Sequence, residues 1–183
     1  EVREYRYVSI HKCKCLIKCT FSKAMKVLYI VNPISGGKDK VYFVNNIHDY
    51  CYTYGIEYDF FYTTGGNDVP LIRQKAIDYR PDRIFSIGGD GTFRIICSAV
   101  KGMGIPVGYI PIGSANGMGR DMPSGDGPWE CFEMLMSTYY TRPMDIIDIN
   151  GVDCTHVADV GVNAQLVKAY DQDKGRGILT YAK

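Results

Sequence analysis

No apolar run in these 183 residues approaches the roughly 18–20 needed for a helix to cross a bilayer, so no transmembrane segment is expected. Excess charge of either sign is also missing. The chain has 21 Lys and Arg against 20 Asp and Glu, a net charge of +1, and so has no basic field for nucleic acid. Histidine is scarce. His11, His48 and His156 lack Cys or carboxylate neighbours at metal-ligand spacing, and each reads as structural or exposed. Without a Gly-x-Ser-x-Gly elbow, no Ser-His-Asp hydrolase can be argued. The Gly-x4-Gly-Lys-[Ser/Thr] spacing of a P-loop is absent, and no Gly-x-Gly-x-x-Gly follows the first strand, so neither phosphate fingerprint applies. There is no internal repeat and no low-complexity tract. The seven cysteines are an odd number, and Cys51, Cys97, Cys131 and Cys154 are scattered through expected secondary structure. That scatter points to reduced, buried thiols in a cytoplasmic protein and not to a disulfide framework.

What is present begins at residues 84–95, Ile-Phe-Ser-Ile-Gly-Gly-Asp-Gly-Thr-Phe-Arg-Ile. A short apolar run (Ile84, Phe85, Ile87) breaks into Gly88-Gly89-Asp90-Gly91-Thr92, and apolar residues restart at helical spacing with Phe93, Ile96, Ala99 and Val100. This predicts a buried strand, a glycine turn and a helix. The glycines allow close approach to a ligand, and the N–H groups at a helix start favour an anion, above all phosphate. Asp90 would repel that phosphate unless a cation lies between them, so it points to Mg²⁺, held directly or through water. The competing reading is a plain strand-to-helix turn.

From Met25 onward the pattern is α/β. Strands are expected over 26–31, 56–62, 83–87 and 107–110, and helices over 40–54, 69–79, 92–100 and 128–138. Val41, Val44, Ile47 and Cys51 mark one face of the first helix, and Gly55 ends it. Alternation with short connections implies a parallel sheet covered on both faces, with ligands at the carboxyl ends of the strands. Polar glycine loops follow those strands at Asn32–Lys38, at Thr63-Thr64 through Asp68, and at Pro111–Gly117. Asn32, Ser35, Gly36, Gly37 and Lys38 suit a phosphate cradle, Lys38 adding charge. Gly113, Ser114 and Asn116 offer a hydroxyl and an amide; alone, each loop reads equally as a turn. Arg94 and Arg120 stand just beyond the later loops and could pair with phosphate or with a neighbouring carboxylate. Asp145 and Asp148 read as turn or edge-strand residues.

The ends read differently. Residues 1–24 hold six Lys and Arg, two Glu and the cluster Cys13, Cys15 and Cys19, without amphipathic period. They are expected to be an extension, disordered or not native to the domain. They make a poor signal peptide and a poor metal site, since a fourth ligand is missing. From about 141 the pattern turns β-rich: Met144–Val152 reads as a strand and turn, with His156–Val162 as its hairpin partner.

Taken together, Asn32-Pro-Ile-Ser-Gly-Gly37, Thr63-Thr64 with Asn67-Asp68, Gly88-Gly-Asp-Gly-Thr92 and Pro111-Ile-Gly-Ser-Ala-Asn116 resemble the diacylglycerol kinase catalytic-domain family, which includes sphingosine, ceramide and bacterial lipid kinases. The likeness continues through Asp145 and Ala158–Ala164 to Gly175–Tyr181, and so covers about 26–183. It implies an ATP-binding α/β domain over 25–140, of the kind shared with NAD kinases and phosphofructokinases. It also implies the start of a C-terminal β-sandwich carrying the lipid-acceptor site over 141–183. By position, Asn32, Thr63, Thr64, Gly88, Gly89, Gly91, Thr92 and Ser114 would contact the nucleotide, and Asp90 would organise Mg²⁺ and the γ-phosphate. The implied reaction passes the γ-phosphate of ATP to a lipid hydroxyl such as that of diacylglycerol, at the inner face of a membrane. An NAD-kinase-like enzyme is disfavoured by the lack of an Asn-Glu loop after the Asp90 helix. A non-catalytic nucleotide-binding fragment or pseudokinase is the other alternative.

Several positions depart from the family pattern. Ser114 stands where Thr is common, Gly117 where Asp is frequent, Arg94 and Ile95 where Asn and an acidic residue often follow, and Asn163 where Asp is usual. The resemblance also implies that the general base lies in a part not contained in the chain, so weak or absent kinase activity is expected of it alone. An exposed apolar face over 141–183 would favour self-association into a homodimer.

Overall fold

The computed structural model describes residues 24–156 apart from Lys38, Ala115, Pro123 and Ser124. The extension expected over 1–24 therefore falls outside the described residues, Ala24 aside, as do the motifs beyond His156. The elements run β1 (Lys26–Val31), a 3-10 turn (Ser35–Gly37), α1 (Val41–Tyr54), β2 (Glu57–Tyr62), α2 (Asp68–Tyr79), β3 (Arg83–Gly88) and α3 (Asp90–Val100). They continue with β4 (Val107–Pro111), α4 (Gly117–Asp121), α5 (Pro128–Ser137), β5 (Ile147–Ile149) and β6 (Val152–Cys154).

Strands β1 to β4 form one parallel sheet in the order β2-β1-β3-β4, with Val31 opposite Tyr62 and Ile87 and with Gly88 opposite Pro111. The continuous apolar run of β1 is the signature of a strand buried on both faces, and Val27 to Val31 are at most 1% exposed. Alternate residues serve opposite layers. Val27, Tyr29 and Val31 pack with Phe85, Ile87 and Ile110 against Ile47 and Cys51 of α1 and Cys131, Phe132 and Met136 of α5. Leu28, Ile30 and Ile84 pack against Ile72 and Ala76 of α2 and Ile96, Ala99 and Val100 of α3. Cys51, Cys97 and Cys131 are buried free thiols, as expected, whereas Cys154, on the short strand β6, is only half-buried. His48 is exposed, its ring edge-on to Tyr58.

Gly55 closes α1 at φ 64°, its N–H bonding Cys51 O and Tyr52 O. Two expectations need correction. Val41 is 61% exposed and does not share the buried face with Ile47. It is the first residue of α1 and lines a small cleft with Val31 and Tyr62. Nor is His156–Val162 the hairpin partner of β5: Ile149 pairs with Val152 and Ile147 with Cys154, antiparallel. Asn150 and Gly151 both have positive φ (54° and 81°), the two-residue turn that matches strand twist. Asp148 Oδ1 accepts the Gly151 N–H at 3.0 Å, so it is a turn residue. His156 lies just past β6, and 157–162 are outside the described residues. No described helix is long and apolar enough to cross a membrane.

Candidate functional site

The chain runs outward from β1 to β2 on one side and to β3 and β4 on the other, so the connections diverge between β1 and β3. A crevice opens at such a point, at the carboxyl ends of the strands. Here it is a cleft of about 550 Å³ walled by all four post-strand loops. Of the sequence-nominated residues, Asn32, Ser35, Gly36, Thr63, Gly89, Asp90, Gly91, Thr92, Gly113, Ser114 and Asn116 line it. Gly37 and Thr64 are exposed and Gly88 is buried, none of them lining the cleft, and Lys38 lies outside the described residues. Ile34, Gly65, Gly66, Asp68, Val69, Arg94 and Ile95 also line the cleft. Of these, Arg94 had been noted in the sequence as able to pair with phosphate or a carboxylate, and among the rest the acidic Asp68 at a helix start carried the clearest signal.

Three of the loops touch one another. Asn32 Nδ2 donates to Thr92 Oγ1 at 3.1 Å, and Asn32 Oδ1 accepts the Ile34 N–H at 3.2 Å. Ser35 Oγ, which also lies 3.2 Å from Asn32 O, is within 2.9 Å of Ile112 O as a donor, bridging the first loop to the last. Lys40 is buried beneath the first loop and donates from Nζ to Ser35 O at 2.6 Å; burial lowers its pKa, partly offset by Asp39. Asn116 closes its own loop, Oδ1 accepting from Gly113 N (2.8 Å) and Nδ2 donating to Gly113 O (3.0 Å).

Several of the glycines are required by this convergence. A Cβ on Gly113 would fall 2.5 Å from Gly89 Cα and 2.6 Å from Asn116 Oδ1. One on Gly88 would fall 2.4 Å from Thr92 Oγ1. Within the Gly88–Thr92 turn Gly91 differs: nothing lies within 4 Å of its added Cβ, and it lines the cleft. Close ligand approach, expected for the whole motif, is open at Gly91, and Gly88, Gly89 and Gly113 pack against neighbouring loop atoms while Gly89 and Gly113 also line the cleft.

Asp90 occupies the first turn of α3, but its carboxylate is already engaged. Oδ2 accepts from Gly117 N at 2.7 Å, and Oδ1 accepts from Tyr109 OH at 2.8 Å and Met118 N at 3.3 Å. That accounts for three of about four lone-pair positions. Burial, followed by the bond to Asp90, pushes the Tyr109 hydroxyl pKa far up, so Tyr109 stays a donor. The same contact explains Gly117. A Cβ there would meet His156 Cε1 at 3.0 Å and Asp90 Oδ2 at 3.3 Å, which leaves no room for a carboxylate.

Groups with capacity for a ligand remain. No side chain caps the start of α3; the Thr92 N–H bonds Gly89 O at 3.0 Å, which leaves the N–H groups of Asp90 and Gly91 at the positive end of the helix dipole. The Thr63 and Ser114 hydroxyls make no hydrogen bond among the described residues, and Arg94 lines the same cleft. Among the described residues no three His, Cys, Asp or Glu gather as a metal cage. A single carboxylate suits Mg²⁺, which keeps waters and is shared with phosphates.

Asp68 holds the second loop. Its oxygens accept from Thr64 N, Thr64 Oγ1 and Gly65 N at 2.9–3.2 Å. Burial raises its pKa, but these bonds outweigh burial and leave the carboxyl below its ordinary 3.8. The folded pKa is depressed, so the stabilisation is complete above the unfolded value and disappears as pH falls through the folded one. Asp68→Asn is therefore expected to lower stability at pH 7 and to flatten its fall below about pH 4. Urea unfolding from pH 2 to 7 measures this; parallel curves for both proteins would contradict it.

A family model described as the diacylglycerol kinase catalytic domain matches residues 26–149. Among solved structures, a diacylglycerol kinase from Bacillus anthracis str. Sterne is 23% identical with a TM-score of 0.60, covering 83% of this chain and 54% of its own. A candidate diacylglycerol kinase from the same organism is 24% identical with a TM-score of 0.59, covering 73% and 49%. The chain thus spans about half the length of these structures, and the likeness to them is one of fold. No curated protein matches the chain.

Proposed function

Because the chain belongs to the diacylglycerol kinase catalytic-domain family, we propose that its cleft binds Mg·ATP and forms the nucleotide half of a kinase that phosphorylates a lipid hydroxyl such as that of diacylglycerol. The observation that carries this reading is the convergence of all four post-strand loops on the uncapped start of α3. That arrangement presents fixed N–H donors and a positive dipole end to an anion, and phosphoryl transfer depends mainly on positioning and charge neutralisation.

In this reading the leading N–H groups of α3 receive phosphate oxygens, with Gly91 leaving the approach clear. Thr63 and Ser114 contribute hydroxyls. Asn32, Thr92 and Asn116 hold the wall in shape, since their polar atoms are directed to one another and to the backbone. The remaining acceptor position on Asp90 would hold a water of the Mg²⁺ that arrives with the nucleotide. When bound, that ion neutralises charge on the terminal phosphates. The β5–β6 hairpin begins the acceptor-binding part. A diacyl acceptor stays in its bilayer, so the enzyme would work peripherally at a membrane surface.

Titration calorimetry with ATP, with and without Mg²⁺, tests the reading. The chain is expected to bind in a Mg²⁺-dependent manner. Gly91→Leu fits the open space beside Gly91 and gains helix propensity, so it should fold at least as well as the parent. Its side chain enters the cleft, and affinity should fall by at least about tenfold. Undiminished ATP binding by a folded Gly91→Leu protein would place the nucleotide elsewhere.

A further inference from the structure

Arg94 is the one cationic side chain among the described residues lining the cleft, where the other charged residues are Asp68 and Asp90, and the Asp153 carboxylate also lies within its electrostatic reach. The carboxylates of Asp68 and Asp90 face backbone N–H donors that already engage them. Arg94 is different. Its only hydrogen bond among the described residues runs from a guanidinium N–H to Asp153 O at 3.5 Å, the outer limit for such a bond. A guanidinium has five donors in a planar fork that matches phosphate oxygens, so most of this fork is uncommitted. Asp90 and Arg94 lie four residues apart on α3 and share a face. The guanidinium therefore stands one turn from the helix start that would receive phosphate.

The carbonyl that touches Arg94 belongs to the β5–β6 hairpin, and the hairpin is fastened to the same helix. Asp153 Oδ1 accepts from Lys101 Nζ at 2.7 Å, just past the end of α3. The Asp153 side chain is only 12% exposed. Hydrogen bonds from Lys101 and then Ser98 hold its carboxyl below the usual range. Asp153 thus grips α3 at its C-terminal end with its side chain and meets Arg94 nearer the cleft with its main chain.

We propose that Arg94 receives the phosphate chain of the nucleotide, and that the β5–β6 hairpin, fastened through Asp153, sets where the guanidinium stands. The inference rests on the nucleotide reading above. It makes Arg94 a specificity residue for polyphosphate over monophosphate, and Asp153 a positioning residue that acts through it. It also couples the start of the C-terminal segment to the nucleotide cleft.

The test is calorimetry of the 183-residue chain with Mg·ATP and, separately, with AMP, with folding of every variant checked by circular dichroism. Arg94→Gln is expected to weaken ATP binding by about tenfold or more and AMP binding far less, and Arg94→Lys to recover part of the loss. Asp153→Asn should weaken ATP binding severalfold in the parent and add nothing in the Arg94→Gln background. Folded Arg94→Gln protein that binds ATP within about twofold of the parent would overturn the inference and leave the nucleotide reading intact. Equal losses from Asp153→Asn in both backgrounds would remove the hairpin's part. A folded parent chain that binds no Mg·ATP would overturn the nucleotide reading and this inference with it.

Discussion

Alanine at Gly113 is expected to lower the unfolding free energy by about 3 kcal/mol and to abolish ligand binding in the cleft, although it adds one methyl group. The methyl would sit 2.5 Å from Gly89 Cα and 3.1 Å from Gly89 N, which are backbone atoms that no rotamer change can move aside. Both loops leave adjacent parallel strands, with Gly88 opposite Pro111, and Ile112 N donates to Gly88 O at 2.8 Å. Neither loop can retreat without breaking that ladder. The third near atom is Asn116 Oδ1, and displacing it also breaks the closure of the Gly113–Asn116 loop. For a chain of this size the loss corresponds to a drop of roughly 6–12 °C in thermal midpoint. Gly91→Ala is the matched control: the same methyl enters open space in a helix and should be neutral or stabilising by up to about 1 kcal/mol. Thermal and urea unfolding of the two variants decide the matter. Equal stabilities would mean that the loops do not meet as described.

Removal of the Asp90 carboxylate carries the second large expectation. Asp90→Asn keeps the shape but replaces one acceptor oxygen with a donor, set against the Gly117 N–H, the Met118 N–H and the Tyr109 hydroxyl. A part-buried donor left without its acceptor costs about 1–3 kcal/mol, so a loss of about 2 kcal/mol is expected. Binding of Mg·ATP should weaken by about 100-fold, equivalent to about 2.7 kcal/mol, because the last loop loses its hold on the start of α3. Tyr109→Phe removes only one of the three donors and should cost about 1 kcal/mol. The pair separates two roles for Asp90. A carboxylate that served the metal alone could be replaced by an amide at no cost in stability, and Tyr109→Phe would not affect binding. Urea unfolding and Mg·ATP titration of both variants provide the comparison, and an Asp90→Asn protein as stable as the parent would rule out the clasp.

Much of the fold was legible before any coordinates. Alternating apolar runs and helical periods located all four parallel strands and the four longer helices to within one or two residues. Gly55 marked the end of α1, and the chemistry of the post-strand loops singled out most of the residues that wall the cleft. The hairpin was misread although its signal was present. Asn150-Gly151 between short apolar runs is a two-residue turn, yet the partner strand was sought beyond it, at His156. The short helix α4 gave little warning, being only five residues long and opening on glycine.

The roles of individual polar residues were not legible, because they depend on contacts that no local pattern encodes. Asn32, Thr92 and Asn116 were read as ligand contacts, yet each hydrogen-bonds within or between the loops. Gly117 looked like a missing carboxylate, and its reason is a neighbour 39 positions later, the ring of His156. By itself, then, the sequence determined the order of strands and helices, the parallel sheet and the family to which the chain belongs, since these follow from periodicity, turn residues and ordered motifs within short windows. The tertiary structure alone decided that Asp90 grips α4 across 27 residues, that Ser35 reaches Ile112 across 77, and that Arg94 stands in the cleft against the hairpin. Parallel strands bring the ends of distant segments together, and which atoms then meet depends on three-dimensional packing that sequence spacing does not carry.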